Sequence, residues 1–388
     1  MPERVLVTGA GGFVGGRLCQ RICLGESYDV RPLVHRFSGA GAMRLARLPV
    51  DIVQGSVTDR DRMAAVIEGC DAVVHCAVGT EATNVAGTQT MLDVALAEGV
   101  DRFVHMSSAV VHGHDLEGVI TEDDPFQPET EYAEAKATAE RELTMMTAGT
   151  TLAPTVIRPY IVYGPHSEFA IEPLSHIAQG AVLADGGTGP MKQVYVDNVI
   201  DAILLALEDP AARGERYLIC DDEQISWQQY YYSLADMLAE HPPIKSATRG
   251  QIRLQHGKQY ASDSVVPPFA AIGDIATSPD VQQSVAKEIK RMPWAMGAFA
   301  RLPEGAKEHI QASIYGKSEH VLPTNDEQAR QNGGAAYDPP SVRWMKLHSA
   351  QVTVSTEKIK AELGWEPAVP FEEAMELIEA WARYEELV

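Results

Sequence analysis

Thr8-Gly9-Ala10-Gly11-Gly12-Phe13-Val14-Gly15 is the stretch that decides the fold. It follows a short apolar run at 4–8 and opens a helical pattern at 13–24. Its glycines have separate tasks: Gly9 permits a tight turn, Gly12 lets backbone approach a pyrophosphate, and Gly15 lets helix and strand pack closely. The helix start, with Phe13 and Val14, offers unpaired N–H groups and a favourable dipole to that anion. A strand before and a helix after are the context that turns a glycine-rich turn into a dinucleotide site. The acidic residue that commonly follows about 20 residues later to hold a ribose is missing. The second strand ends at Val34-His35-Arg36-Phe37-Ser38, where Arg36 can fork onto a ribose 2′-phosphate. NADP is therefore favoured, with NAD possible.

Outward from this loop, strand-like runs at 30–35, 51–54, 72–76, 102–107 and 155–158 alternate with helical patterns at 60–67, 87–97 and 134–146. Several runs are apolar throughout, as strands covered on both faces are. This order predicts an α/β fold, a Rossmann-type doubly wound parallel sheet. Residues 1–165 are read as mainly the NAD(P)-binding domain. Residues 166–388 are read as mainly a smaller, partly irregular substrate-binding region, interleaved with the first. Within it, 241–345 reads as a proline-rich insertion, marked by Pro242-Pro243, Pro267-Pro268 and Pro339-Pro340, with a short helix over 279–290 and a loop at 331–334. Regular structure resumes with helices over 356–363, capped by Ser355 and ended by Gly364, and over 371–384.

Composition narrows the function. The 388 residues carry 32 Lys and Arg against 54 Asp and Glu, a net charge of −22, which repels nucleic acid and anionic membranes. No apolar window reaches the roughly 18 residues of a membrane span, and Met1-Pro2-Glu3-Arg4 is no secretory signal. A cytoplasmic protein with a small-molecule substrate is expected. Cys19, Cys23, Cys70, Cys76 and Cys220 form no CxxC and read as reduced packing residues. No metal is expected: His112 and His114 lack a third ligand at suitable spacing.

Tyr132-Ala133-Glu134-Ala135-Lys136 puts tyrosine and lysine on one helix face. A tyrosine beside a cation has a lowered pKa and can shuttle the proton that accompanies hydride transfer at a carbonyl or alcohol. Upstream, Phe103-Val104-His105-Met106-Ser107-Ser108 ends a strand in hydroxyls, and strand C-termini face the ligand crevice in open α/β sheets. Either element alone is common; a surface Tyr/Lys pair and a serine-ended strand need no chemistry.

With these elements in order, the chain resembles the extended short-chain dehydrogenases/reductases of the nucleotide-sugar epimerase/dehydratase type, over 3–240 and about 350–385. Thr8–Gly15 is similar to that family's TGxxGxxG loop. Val73-Val74-His75-Cys76-Ala77 resembles its fourth strand, whose end lines the cofactor. Asn84 with Gly87-Thr88 matches the next helix, and Ser107-Ser108-Ala109-Val110-Val111-His112-Gly113 its serine strand. The resemblance implies Ser108, Tyr132 and Lys136 as catalytic residues. It implies cofactor contacts at Gly9, Gly12, Phe13, Val14, Gly15, Cys76, Ala77, Tyr132 and Lys136. Arg158-Pro159-Tyr160-Ile161-Val162-Tyr163-Gly164-Pro165 resembles its RPxxVYGP segment, which implies Pro159 and Ile161 near the nicotinamide. Val196-Asp197-Asn198-Val199 and Leu363-Gly364-Trp365-Glu366-Pro367 match later signatures. A homodimer through the helices at 87–97 and 134–146 is also implied, with Met91, Leu92 and Ala95 either at that interface or in the core.

Several positions depart from the family pattern. Ser56, followed by Val57, replaces the aspartate of the adenine-contacting element. His112 replaces a tyrosine, and the stretch at 78–84 is short. Ser108-Ala109-Val110 lacks the Asp-Glu pair used to eliminate water, which argues against 4,6-dehydration. Val78, Ser108, His112, Tyr132 and Tyr160 are the expected substrate contacts. Tyr230-Tyr231-Tyr232 reads as helix packing with a solvated edge, and Glu122-Asp123-Asp124 as a solvated turn. The expected activity is NAD(P)-dependent oxidoreduction or epimerisation at a secondary alcohol or ketone of a sugar-nucleotide-like substrate. The alternatives are a hydroxysteroid-like dehydrogenase or ketone reductase, and a non-catalytic NAD(P)-sensing protein.

Overall fold

The computed structural model describes residues 3–25, 28–37, 39–113, 118–252 and 342–388. Ser38, His114 and most of the proline-rich insertion, including 267–268, 279–290, 331–334 and 339–340, lie outside the described residues.

The chain runs β1 (Arg4–Thr8), α1 (Phe13–Gly25), β2 (Asp29–Val34), α2 (Ala40–Leu45), β3 (Val53–Gln54), α3 (Arg60–Ile67) and β4 (Ala72–His75). It continues through α4 (Glu81–Asn84), α5 (Ala86–Glu98), β5 (Arg102–Met106), β6 (Val119–Ile120), α6 (Glu131–Thr147), β7 (Thr155–Pro159) and β8 (Ile161–Tyr163). Then come α7 (Glu168–Gln179), β9 (Val182–Ala184), β10 (Gln193–Tyr195), α8 (Val196–Glu208), β11 (Arg216–Ile219), α9 (Trp227–Ala235) and β12 (Lys245–Ala247). After the insertion follow α10 (Val342–Ser349), β13 (Thr353–Val354), α11 (Glu357–Leu363) and α12 (Phe371–Tyr384).

Seven strands form one sheet in the order β11-β7-β5-β4-β1-β2-β3. Every neighbouring pair is parallel. The alternation of side chains along each strand feeds two cores. Val5, Val7, Val74 and Val104 pack with Leu18 of α1 and Ile203 of α8 on one face. Leu6, Val73 and Phe103 pack with Met63 of α3, Met91 of α5 and Leu143 of α6 on the other. Both faces are dry, which is why these strands read as unbroken apolar runs. A third core gathers residues 160–237 and 344–382, with Trp227, Tyr230 and Tyr231 at its centre. Tyr232 is exposed, as the sequence led one to expect.

The chain divides into a unit of Met1–Arg249 with Pro339–Val388 and a unit of Gly250–Asp338. All the elements above belong to the first, so residues on both sides of 165 share one unit, and one of its cores draws on both. Among the described residues no helix is long and apolar enough to cross a membrane. All five cysteines are free thiols.

Candidate active site

The strand order reverses between β1 and β4, and a ligand crevice opens at the carboxyl ends of strands at such a point. The glycine loop sits there. Gly9 has φ +65°, and a Cβ on it would lie 2.6 Å from the Cys76 carbonyl oxygen at the end of β4. A Cβ on Gly15 would lie 2.5 Å from the Gly9 carbonyl oxygen. Both contacts are with backbone, which cannot yield, so the loop closes only with glycine at these positions. The Gly12 amide donates to the Gly9 carbonyl at 2.9 Å and α1 begins at the next residue. The first-turn amides of α1 are thus left for an anion, and this cradle fits a dinucleotide pyrophosphate.

Beneath the loop, Thr8 Oγ1 lies 2.8 Å from His75 Nδ1, and His75 Nε2 lies 3.2 Å from Thr88 Oγ1. The Ala77 amide donates to Thr8 Oγ1 at 3.2 Å, so one threonine ties the ends of β1 and β4 together. Burial lowers the His75 pKa to about 3 and raises that of the Cys76 thiol to about 12. Both are neutral and play a structural part beside the crevice. His105 stacks on His75, with ring centres 5.6 Å apart. Its two ring nitrogens are buried with no hydrogen-bond partner among the described residues.

Helix α6 carries the Tyr/Lys pair. Thr130 caps it, accepting from the Ala133 amide at 3.1 Å, so the helix starts at Glu131 and not at 134. Tyr132 therefore lies in the first turn, where it is 43% exposed. Lys136, one turn on, is buried and donates from Nζ to the Met106 carbonyl at 2.7 Å. That carbonyl ends β5. Desolvation lowers the Lys136 pKa to about 8. A further turn on, Glu140 receives the Ser107 hydroxyl at 2.5 Å and forms a buried ion pair with Arg158, 2.6 Å at Nη2. Ser107 is thereby committed to packing. Ser108 is left as the hydroxyl of the strand end, with Oγ 3.4 Å from the Pro159 carbonyl and 3.4 Å from the Val110 amide.

The same arginine reaches His112 Nε2 at 3.2 Å and donates to the Glu122 carbonyl at 3.2 Å. His112 is fully buried, with Nδ1 3.4 Å from the Pro125 carbonyl. Burial, then the Arg158 charge, keeps His112 neutral by lowering its pKa. The structure thus puts His112 in the support behind Ser108 and leaves it no surface for a substrate. Glu122 also departs from the expected solvated turn: its carboxylate accepts from the Leu218 amide at 2.9 Å and so holds β11.

The remaining expected residues fall as follows. Arg36 is half-buried two residues past β2. Ser56 Oγ lies 2.8 Å from Thr58 Oγ1 and shapes the turn into α3, while Val57 is buried against Gly87. Ala77 is half-buried and Val78 is exposed. Pro159, Tyr160 and Ile161 are buried at the end of β7 and the start of β8. Among the described residues no group of His, Cys, Asp and Glu could hold a metal. One feature of the site escaped sequence reasoning: Glu140, which the spacing Tyr132, Lys136, Glu140 does signal, as i, i+4 and i+8.

Residues 5–220 match the NAD dependent epimerase/dehydratase family. The chain is similar to the UDP-glucose 4-epimerase of Vibrio cholerae, 26% identical over 61% of this chain and 76% of that one. It is similar to a 2-alkyl-3-oxoalkanoate reductase of Shewanella oneidensis, 28% identical over 80% of this chain and 86% of that one. It also resembles a 3 beta-hydroxysteroid dehydrogenase/isomerase of Mycobacterium tuberculosis, 29% identical over 58% and 67%. In fold it is similar to the UDP-glucose 4-epimerase of Thermotoga maritima, with TM-score 0.66, 18% identity and 99% coverage of both chains.

Proposed function

The chain belongs to the NAD-dependent epimerase/dehydratase family, and we propose that it works as an oxidoreductase at a secondary alcohol or ketone, with Tyr132 as the acid/base. The observation that carries this reading is the bond from Lys136 to the Met106 carbonyl. It sets the Tyr132 face of α6 against the end of β5, where Ser108 keeps a hydroxyl. Bound NAD(P) would supply or accept the hydride. The Gly9–Gly15 loop and the start of α1 would hold its pyrophosphate. Tyr132 gives a proton to the substrate oxygen in reduction and takes it in oxidation. Lys136 supports the phenolate by its charge. Ser108 orients the substrate oxygen by a hydrogen bond. Arg36 supports NADP over NAD.

Two substrate classes suit this chemistry. A sugar-nucleotide-like alcohol is supported by the family and by the epimerase relatives. A non-sugar ketone is supported by the similarity to the oxoalkanoate reductase, which spans 80% of this chain. Dehydration is disfavoured because Ala109 and Val110 follow Ser108 where an acid pair would be needed. The experiment is cofactor titration followed by absorbance at the nicotinamide band with UDP-galactose, a hydroxysteroid and short oxo acids. Cofactor binding and turnover with one class are expected. Absence of cofactor binding would overturn the reading.

A further inference from the structure

A cavity of about 190 Å³ is lined by cations and by no carboxylate, in a chain of net charge −22. It runs along the outer flank of α1, where Phe13, Arg17 and Gln20 share one face, and Arg44 of α2, His166 and Leu377 of α12 close it. Arg17 is neutralised from behind: Nη2 donates to Asp197 at 2.7 Å, and Nη1 donates to Gln20 at 3.2 Å. Arg44 differs. It is half-buried, and among the described residues its guanidinium forms no hydrogen bond and no ion pair. Burial lowers its pKa, against the pull of Glu385, which stands outside the lining.

His166 supplies a second donor. Its backbone sits at φ +71°, a region rare for any residue with a Cβ. Its Nδ1 accepts from Trp381 Nε1 at 3.1 Å, so the proton of the neutral ring falls on Nε2. Burial, then the Arg44 charge, lowers the His166 pKa and keeps the ring neutral. Glycines seat both donors on the cofactor loop. A Cβ on Gly41 would run into the Gly11 carbonyl oxygen, so α2 rests on the loop backbone. Gly164, at φ +143°, lets the turn before His166 close on Phe13, 3.5 Å from where a Cβ would stand. Yet the cavity is not the cradle itself. The first-turn amides of α1 face past the helix start, whereas Gln20 lies about 10 Å down the flank, at roughly 1.5 Å per residue.

We propose that Arg44 and His166 form a second anion site, beside the cofactor cradle, for the phosphoryl group of a small molecule. This goes beyond the oxidoreductase reading and does not depend on it. A planar guanidinium fork meets two phosphate oxygens at once. An imidazole N–H from a different segment suits a third oxygen of a tetrahedral anion. A planar carboxylate, with two oxygens, would leave one donor unused. The cavity is smaller than the roughly 300 Å³ at which pockets for drug-sized ligands begin, which selects a compact phosphate ester. Phe13 and Leu377 give its short carbon chain an apolar wall.

The test is equilibrium binding by calorimetry, which requires no turnover. Inorganic phosphate is titrated into the unaltered protein saturated with NADP+ or NAD+, so that the cradle is already filled. Phosphate is expected to bind, and to bind more tightly than acetate. Arg44→Met should weaken phosphate at least about tenfold, the range of a charge-assisted bond. Arg47→Met, which removes an exposed charge three residues on, should leave it unchanged. Absence of phosphate binding to the cofactor-saturated protein overturns the proposal, whether or not the variant folds. So does unchanged phosphate binding by an Arg44→Met protein of parental melting temperature, or acetate bound as tightly as phosphate. Failure to bind either cofactor would instead sink the oxidoreductase reading, and the comparison of the two arginine variants in the free protein still decides the anion site.

Discussion

Two serines end β5, and their neighbours choose between them: Glu140 takes the Ser107 hydroxyl, which leaves Ser108 at the crevice. Sequence reasoning reached Ser108 through the motif alone, because the partner that removes Ser107 comes 33 residues later. His112 shows the opposite case. Its position beside the serine suggested a substrate contact, yet Arg158, distant in sequence, claims its ring. Lys136 is proposed both to support the phenolate and to contact the cofactor, so Lys136→Met should lower turnover and cofactor affinity together, measured by steady-state kinetics and titration. Arg36→Asp should weaken NADP binding and improve NAD binding, shifting the preference between them by more than about tenfold, since a charge-assisted bond contributes about 1.5–3 kcal/mol. Tighter binding of NAD than NADP by the unaltered protein would contradict the role of Arg36.

Helix α6 is the element on which the site depends. Tyr132, Lys136 and Glu140 lie on successive turns of one face: Tyr132 is exposed, Lys136 reaches the Met106 carbonyl and Glu140 reaches Arg158. The Glu140–Arg158 pair thus clamps α6 to β7, beside Pro159. Both side chains are 1% exposed. Breaking a buried pair leaves one charge uncompensated, which typically costs about 3–5 kcal/mol. Glu140→Gln should lower the unfolding free energy by an amount of that order in denaturant titrations, whereas Arg141→Gln, at the exposed neighbouring position, should change it little. The strands and helices of the first half were legible because their apolar periodicity is strong. The start of α6 was missed by three residues because Thr130, the cap, stands apart from the apolar pattern. The small strand pairs β10 with β8, β12 with β9 and β13 with β6 were not legible, because each has only two or three residues and gains its partner from elsewhere in the chain.

For the whole molecule, buried neutral histidines couple the fold to pH. His75 and His348 are lowered by burial to about 3, and His105 well below its usual value. The unfolded chain binds protons on these rings below about pH 6.5 while the folded chain refuses them, so their stabilisation is present above that value and lost as pH falls. Asp221, raised to about 7, acts in the opposite sense and loses its contribution as pH rises from about 4 through 7. With His112, His166 and His176 also lowered by burial, the histidines outnumber Asp221, so unfolding takes up more protons than it releases and stability falls as pH drops from about 6.5 to about 5. A flat profile in denaturant titrations would contradict this. Met91, Leu92 and Ala95 of α5 are fully buried within the protomer, so they belong to its core. A homodimer remains our proposal on the family resemblance, and a monomer mass by light scattering at micromolar concentration would reject it. The central claim is that Tyr132 carries the proton in a cofactor-dependent redox reaction. The most direct measurement is turnover together with cofactor titration for Tyr132→Phe. The account predicts a loss of about 10²–10⁴ in rate while the cofactor still binds, held by the Gly9–Gly15 loop. Turnover close to that of the unaltered protein would contradict it.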